Sequence, residues 1–435
     1  MKVGNGKQKR LRLDLYIFIP AVLISIIGIF TLLSTTIGND GKFNDLSIVY
    51  KQIGFVVFGL ITYLVVSKID ISLFKYVQII IPIYLITIIL LVLVFILGPV
   101  INNVQRWLVV GGIQIQPSEI AKITVILVTA SIFSFKHRYN QWLLFLISFI
   151  AVLPIFLLVY FEPAGSMSFL ILFIWFLVAF TGLSNQLRNT VALIVVGLVS
   201  SSLFLISFTD NWIYILLSIA AIVISILAYY YRDNWRVLIV ISFLIGIMVG
   251  STSVVLYKNV LKEYQKDRIE AFLNPTENTK DIGFNVNQAR IAIGSGQIWG
   301  KGFGNGTQSK RDFLPEHQTD FIFASYAEEF GLVGSLFLLV LFSVITIRVL
   351  NISIDNARNT FLSMILIGVT MKMVLEIFIN IGTNLGVIPA TGIPLPLVSA
   401  GGTITVMTLF SLGVVQSIIN SSNVSKNNRN IIDNY

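Results

Sequence analysis

Between Gly294 and Gly306 six glycines fall within thirteen residues, with Lys301 among them. Such a stretch either lets backbone N–H groups close on an anion, with Lys301 as a point charge, or is simply a flexible loop. It is not a nucleotide phosphate loop, because the spacing differs and no Ser or Thr follows the lysine. Two charged pairs raise a second possibility. Glu119 and Lys122 are three residues apart and Lys372 and Glu376 four, each pair inside an apolar run and so on one helical face. Ionisable side chains in such runs are costly and by default serve function; the alternative is a self-neutralising pair that orders its helices. Arg106 precedes Trp107, where it either reaches a polar site or snorkels to an interface. In Gln116-Pro117-Ser118-Glu119 the proline breaks the chain and Ser118 is expected to cap the helix that follows. Asp320 adjoins an apolar run, as a helix-start charge or as a pocket acid. From Gly386 to Thr403 three prolines and four glycines rule out a continuous helix. This segment is expected as a re-entrant wall, with a tight turn as the alternative.

The elements that hold these residues must be membrane helices. Of 435 residues 56% are hydrophobic and 12% charged, roughly half the usual charged share, so no polar surface could enclose a single core. Apolar runs occur near 14–37, 52–67, 74–98, 119–135, 141–160, 166–183, 189–208, 212–231, 236–257, 331–350, 361–382 and 401–420. The expected fold is an all-α, polytopic integral membrane bundle of ten to twelve transmembrane helices with one large extracytoplasmic loop. Its parts are a tail 1–13, spans over 14–257, the loop 258–318, C-terminal spans over 319–420 and a tail 421–435. With the N-terminus inside, 16 Lys and Arg fall in cytoplasmic segments against three (Lys42, Lys51, Arg106) in short outer loops, so both termini are expected in the cytoplasm. The loop 258–318 holds nine of the 30 basic residues and is exempt from that rule by its length. With no Cys and only His137 and His317, disulfides and thiolate zinc sites are excluded. No serine–histidine arrangement, dinucleotide fingerprint or nucleic-acid motif is present, and the net charge of +9 follows membrane topology instead.

Three groups of residues carry a resemblance. Gln105-Arg106-Trp107-Leu108 with Gln116-Pro117-Ser118-Glu119 through Lys122, Thr319-Asp320-Phe321-Ile322-Phe323, and Pro394-Leu395-Pro396-Leu397-Val398-Ser399 through Gly402 together resemble the SEDS family (shape, elongation, division and sporulation), whose members include RodA, FtsW and SpoVE. The motifs follow the family's order from about residue 102 to 420. The resemblance implies a bacterial inner-membrane peptidoglycan glycosyltransferase that polymerises lipid II, in partnership with a class B penicillin-binding protein. Three departures stand out. Glu162-Pro163-Ala164-Gly165-Ser166 replaces the family's Gln-Pro-Asp-Leu-Gly-Thr. Asn278 falls where the family's loop carries an Asp taken as catalytic. Nine spans precede the loop rather than about seven, so the surplus near 189–231 reads as an inserted helical pair.

Such an enzyme needs a cationic site for the lipid diphosphate, a carboxylate to take the proton from the acceptor hydroxyl, and an apolar groove for prenyl tails. Arg106, Lys122 and Lys301 are the candidates for the first role, and Gln116, Ser118 and Ser399 join them as substrate-binding candidates. Glu119 is expected to orient Lys122. Glu277 or Asp281, flanking Asn278, is the expected base, with Asp320 the next contender. No cofactor is required, because lipid II carries its own diphosphate. A divalent cation suits that chemistry, although no ligand cluster calls for one. The competing expectations are a flippase for lipid-linked precursors and a catalytically degenerate paralogue that scaffolds the transpeptidase.

Overall fold

The computed structural model describes residues 13–38, 43, 45–100, 104–162, 164–206, 213–231, 235–259, 282–307 and 318–432. Glu277, Asn278 and Asp281 lie outside the described residues. The chain divides into two compact units, residues 1–182 with 275–435, and residues 183–274.

The first unit contains α1 (Leu15–Thr35), α2 (Ser47–Val66), α3 (Val77–Leu97), α4 (Pro117–Phe133), α5 (Gln141–Phe161) and α6 (Gly165–Gly182). The second holds α7 (Gln186–Ile206), α8 (Ile213–Tyr231) and α9 (Arg236–Asn259). The first unit resumes with α10 (Ile282–Gly296), α11 (Ile322–Asp355), α12 (Thr360–Asn384) and α13 (Gly402–Ile432). Eleven helices among the described residues are long and apolar enough to cross a membrane. Polar caps start several of them: Asp14 accepts from the Tyr16 amide and Asn140 from the Trp142 amide. Asp14 also takes a hydrogen bond of 2.7 Å from Arg348, which ties the start of α1 to α11.

At the centre of the first unit stands α4, which packs against α3, α5, α6 and α12. Every residue of it except Ile120 and Ile132 is buried. A helix apolar on all sides belongs inside a bundle, and this one can carry Glu119 and Lys122 because protein rather than lipid surrounds it. Gly368 sets the approach of α12, since a Cβ there would lie 2.5 Å from the Ile126 side chain.

Before α4 the chain forms a short antiparallel hairpin, β1 (Leu108–Val110) with β2 (Ile113–Ile115). Its two-residue turn, Gly111-Gly112, has positive φ at both positions, the conformation that suits the twist of paired strands. The all-helical expectation omits this hairpin, although a Gly-Gly step between two β-branched runs is its sequence signal.

Two other elements differ from expectation. α11 begins at Ile322 rather than near 331, and it is broken inside at Gly331, whose φ is 64° and ψ −162°. The loop expected over 258–318 is not uniformly irregular, for it contains α10, which packs on α11 through Ala289, Ala292, Phe321 and Ala324. In the second unit Gly246 and Gly250 let α9 close on α7 over Val199 and Leu203. Among its described residues that unit comprises three helices, α7, α8 and α9.

Candidate active site

Four charged side chains meet between α4 and α12. Lys122 Nζ donates to Glu119 Oε1 at 2.8 Å and to Glu376 Oε1 at 2.5 Å, and Lys372 Nζ donates to Glu376 Oε2 at 2.9 Å. All four side chains are buried. Counted from the helix ends at 1.5 Å per residue, Lys122 lies about 8 Å and Glu376 about 12 Å from the end of the bundle that carries the hairpin. The positive and negative charges balance, as buried charges must to avoid several kcal/mol of desolvation per ion. One carboxylate oxygen is left over: Glu119 Oε2 is buried without a hydrogen-bond partner, as is the neighbouring Ser118 Oγ. Ser118 is therefore not the cap expected of it. Gln116 occupies the N-cap position without a side-chain hydrogen bond, and Pro117 takes the first helical turn.

Beside this cluster lies the irregular segment 385–401. Asn380 and Asn384 of α12 both donate to the Asp320 carbonyl at 2.9 Å, and Asn384 accepts from the Ala324 amide. Ser399 accepts from the Leu395 amide and donates to the Thr319 carbonyl. From α2, Gln52 donates to the Ser399 carbonyl and Thr405 and accepts from the Gly401 amide. The Gln116 amide donates to Thr403 Oγ1, joining the start of α4 to the start of α13. Irregular backbone is thus satisfied by side chains from the surrounding helices. The Ser399 hydroxyl, expected to meet substrate, is bonded on both sides and buried. Asp320 is half-buried in the turn before α11, and a Cβ at Gly392 would lie 3.4 Å from its carboxylate.

The glycine stretch is a clasp rather than an anion cradle. Lys301 and Gly302 amides donate to the Glu328 and Glu329 carbonyls, and Leu332 and Val333 amides donate back to the Gln297 and Ile298 carbonyls. The break at Gly331 frees these α11 groups from the helical ladder. Gly304 N–H donates to Ser34 Oγ, and Ser34 in turn donates to Glu329. Lys301 Nζ lies 2.6 Å from Glu328, a buried carboxylate that also takes bonds from the Thr307 amide and hydroxyl. Lys301, expected to grip a diphosphate, thus has its ammonium on Glu328 and Thr307 and its own amide on the Glu328 carbonyl.

Arg106 is half-buried in the segment leading to β1, and its charge is felt by Glu162, just past the end of α5. Glu162 is 0% exposed and neither carboxylate oxygen has a hydrogen-bond partner. Burial pushes its carboxyl up to about 8, with the Arg106 guanidinium pulling the other way.

The structure thus brings Glu119, Lys122, Ser118 and Gln116 to one end of α4. It adds Glu376 and Lys372, whose helical spacing is legible but whose partner, 254 residues away from Glu376, is not. On the sequence side, the profile of the cell cycle proteins FtsW, RodA and SpoVE matches residues 14–218 and again 214–424. The chain belongs to the FtsW/RodA/SpoVE family. Among the family's members, the peptidoglycan glycosyltransferase MrdB of Escherichia coli strain K12 is 31% identical over 379 residues, covering 86% of each chain. The probable peptidoglycan glycosyltransferase FtsW of Bacillus subtilis strain 168 is 29% identical over 339 residues, covering 77% of this chain and 72% of its own. The fold is shared with a chain of a peptidoglycan synthase complex (22% identity, TM-score 0.66, 95% of this chain and 98% of that one). It is also shared with the rod shape determining protein RodA of Thermus thermophilus (21% identity, TM-score 0.56, with the same coverage of each chain). The family membership agrees with the motif positions from which the cluster is built.

Proposed function

We propose that this peptidoglycan glycosyltransferase polymerises lipid II into glycan strands at the hairpin face of a bacterial cytoplasmic membrane, releasing undecaprenyl diphosphate, for elongation, division or sporulation. Both termini then lie in the cytoplasm and residues 258–318 outside. The observation that carries this reading is the buried Glu119–Lys122–Glu376–Lys372 cluster, whose Glu119 and Lys122 lie on the family's own motif and which is open in hydrogen-bonding terms at Glu119 Oε2. In the reaction an acceptor sugar hydroxyl attacks the anomeric carbon of the donor. The bond to the lipid diphosphate breaks, and the hydroxyl proton passes to a carboxylate, for which Glu277 and Asp281 are the nearest substitutes around Asn278. Positive charge from Arg106 stabilises the departing diphosphate, and Lys122, held rigidly by two carboxylates, fixes the floor of the site. The leaving diphosphate supplies the driving force, so no cofactor is needed, and a divalent cation would enter with the ligand.

An apolar groove of about 530 Å³ between α3, α4 and α5 supports the lipid part of this reading. Val77, Tyr84, Ile132, Phe135, Leu144 and Ala151 are among its lining residues, which lie in the half of the bundle away from the hairpin. A prenyl tail long enough to run the depth of the bilayer would fill it. A class B penicillin-binding protein is the proposed partner, supported by the shared fold with a chain of a complex that coordinates polymerization and crosslinking.

A second reading, a paralogue that has lost catalysis and recruits the transpeptidase, is favoured by Asn278 and Ala164, where the family pattern has Asp. Labelled lipid II in proteoliposomes, with and without the penicillin-binding protein, separates these readings. Glycan polymer supports the polymerase. Transfer between leaflets without polymer supports a flippase, and neither result leaves the scaffold.

A further inference from the structure

The apolar groove between α3, α4 and α5 has a charged mouth that the reaction does not use. Its floor is α4, where Val128 and Ser131 are buried, and its walls are α3 and α5, where Val77, Ile81, Leu143 and Ile147 are exposed at the rim. On α5 Leu143, Ile147 and Ala151 fall four residues apart, so one helical face makes that wall. The hydroxyls of Tyr84 and Ser131 are satisfied locally, the first donating to the Ala151 carbonyl at 2.8 Å and the second to the Lys75 carbonyl at 3.2 Å. The interior therefore suits an apolar chain. The Ser131 bond also builds the mouth, because it holds the end of a 3-10 turn, Ile71–Lys75, against the last turn of α4. Lys75 stands two residues before Val77, and Lys136 and Arg138 stand between the lining residues Phe135 and Tyr139. Lys75, Lys136, Arg138 and Tyr139 are exposed, and none of these four side chains has a hydrogen bond or ion pair among the described residues. The acid nearest Lys75 in sequence, Asp70, caps the turn through the Ser72 amide. Three free cations and a phenol hydroxyl at the end of an apolar groove match a charged lipid head with its tail.

We propose that the groove and its mouth bind an anionic glycerophospholipid, with the phosphate on Lys75, Lys136 and Arg138 and one acyl chain lying along α4. The inference goes beyond the polymerase reading and takes from it only the place of the lipid II diphosphate. The 17 residues of α4 set these cations about 25 Å from the hairpin end of the bundle. A lipid whose diphosphate is held at the hairpin face cannot reach them with that group. The anion they meet belongs to a lipid of the opposite leaflet, and its acyl chain occupies the groove when no prenyl tail extends into it.

Native mass spectrometry of the purified full chain, released from micelles holding equimolar phosphatidylglycerol and phosphatidylcholine with the same acyl chains, tests this. The wild type should retain one phosphatidylglycerol in preference to phosphatidylcholine. A cation beside an anionic headgroup is worth about five-fold in affinity, so Lys136→Gln and Arg138→Gln should each lower that preference about five-fold. Arg358→Gln, which removes a cation from the same end of the bundle between α11 and α12, should leave it unchanged. Ala151→Phe and, at the exposed rim, Ile147→Trp place a ring in the groove and should reduce phosphatidylglycerol retention with the cations intact. Equal retention of the two lipids overturns the proposal. A preference that survives both groove-filling substitutions, or one lost equally in Arg358→Gln, reflects surface charge alone and overturns it too. Undecaprenyl phosphate, added as a competitor, separates the two lipid sources. Displacement of phosphatidylglycerol that is insensitive to Lys136→Gln and Arg138→Gln is expected of a tail entering from the other end. If retention of undecaprenyl phosphate itself falls in those variants, the mouth belongs to a prenyl lipid and the proposal fails. No lipid II enters this measurement, so its outcome and that of the polymerisation assay are separate.

Discussion

At the scale of single residues, the buried cluster and Glu162 make opposite predictions about charge. Glu376 receives one bond from each of two lysines, whereas Glu119 receives one. Glu376→Gln should therefore strand Lys372, leave Lys122 on Glu119 alone and destabilise the protein by about 3–5 kcal/mol, measured as a lower thermal midpoint in detergent. Glu119→Ala should insert at normal levels and yet form no glycan polymer, and full polymerisation in that variant would reduce the pair to packing. For Glu162 the sign is reversed. The folded carboxyl holds its proton more tightly than the unfolded chain does, so its stabilising contribution is complete below the ordinary carboxylate range and declines as pH rises through about 8. The thermal midpoint of Glu162→Gln should consequently depend less on pH between 6 and 9 than that of the wild type. In the loop, Glu277→Gln or Asp281→Asn should remove activity and Asn278→Ala only weaken it. Gain of activity in Asn278→Asp from an inert wild type would instead establish that catalysis had been lost. Pair spacing within one helix made Glu119, Lys122, Lys372 and Glu376 legible in the sequence. Burial did not, which is why Lys301 read as an available cation and Ser118 as a cap.

Elements show why apolar periodicity locates helices better than it bounds them. Hydropathy finds α1, α3 and α5 closely, because their polar flanks coincide with the ends of the apolar run. It misplaces the start of α11 by nine residues, because Glu328 and Glu329 resemble a loop and the groups that bond them, among them Lys301, Thr307 and Ser34, lie far away in the sequence. Gly331 is the hinge of that arrangement. Its backbone is left-handed, and a Cβ there would lie 2.4 Å from the Gly300 nitrogen and 2.5 Å from the Ile298 oxygen. Gly331→Ala should therefore cost at least about 1–3 kcal/mol and open the clasp. Faster hydrogen exchange at the Lys301, Gly302, Leu332 and Val333 amides is the measurement, with unchanged exchange in the middle of α4 as the internal reference. If those four amides stay protected, the clasp does not depend on the glycine.

For the whole molecule, the class of fold and the family could be read from composition and motifs, whereas the pairing of helices could not, since nothing local records which spans touch. Orientation is testable because the chain has no cysteine. Cysteines at Gln114, exposed in the hairpin, and at His137, exposed between α4 and α5, should react with an impermeant thiol reagent from outside and from inside respectively. The reverse pattern would invert the topology. The bonds from Gln52 to the chain around Ser399 also have a bearing on how the protein is made. Their ends are 347 residues apart. At 5–20 residues per second a ribosome needs roughly 17–70 s to cover that distance. For that time α2 has been synthesised while the segment that satisfies its buried amide has not. A chain stopped before Ser399 would hold Gln52 unsatisfied or carry it in lipid, and quality control that detects exposed polar groups in the bilayer would find it there. Arrival of the segment from Ser399 to Thr405 is thus the event that releases α2 from surveillance.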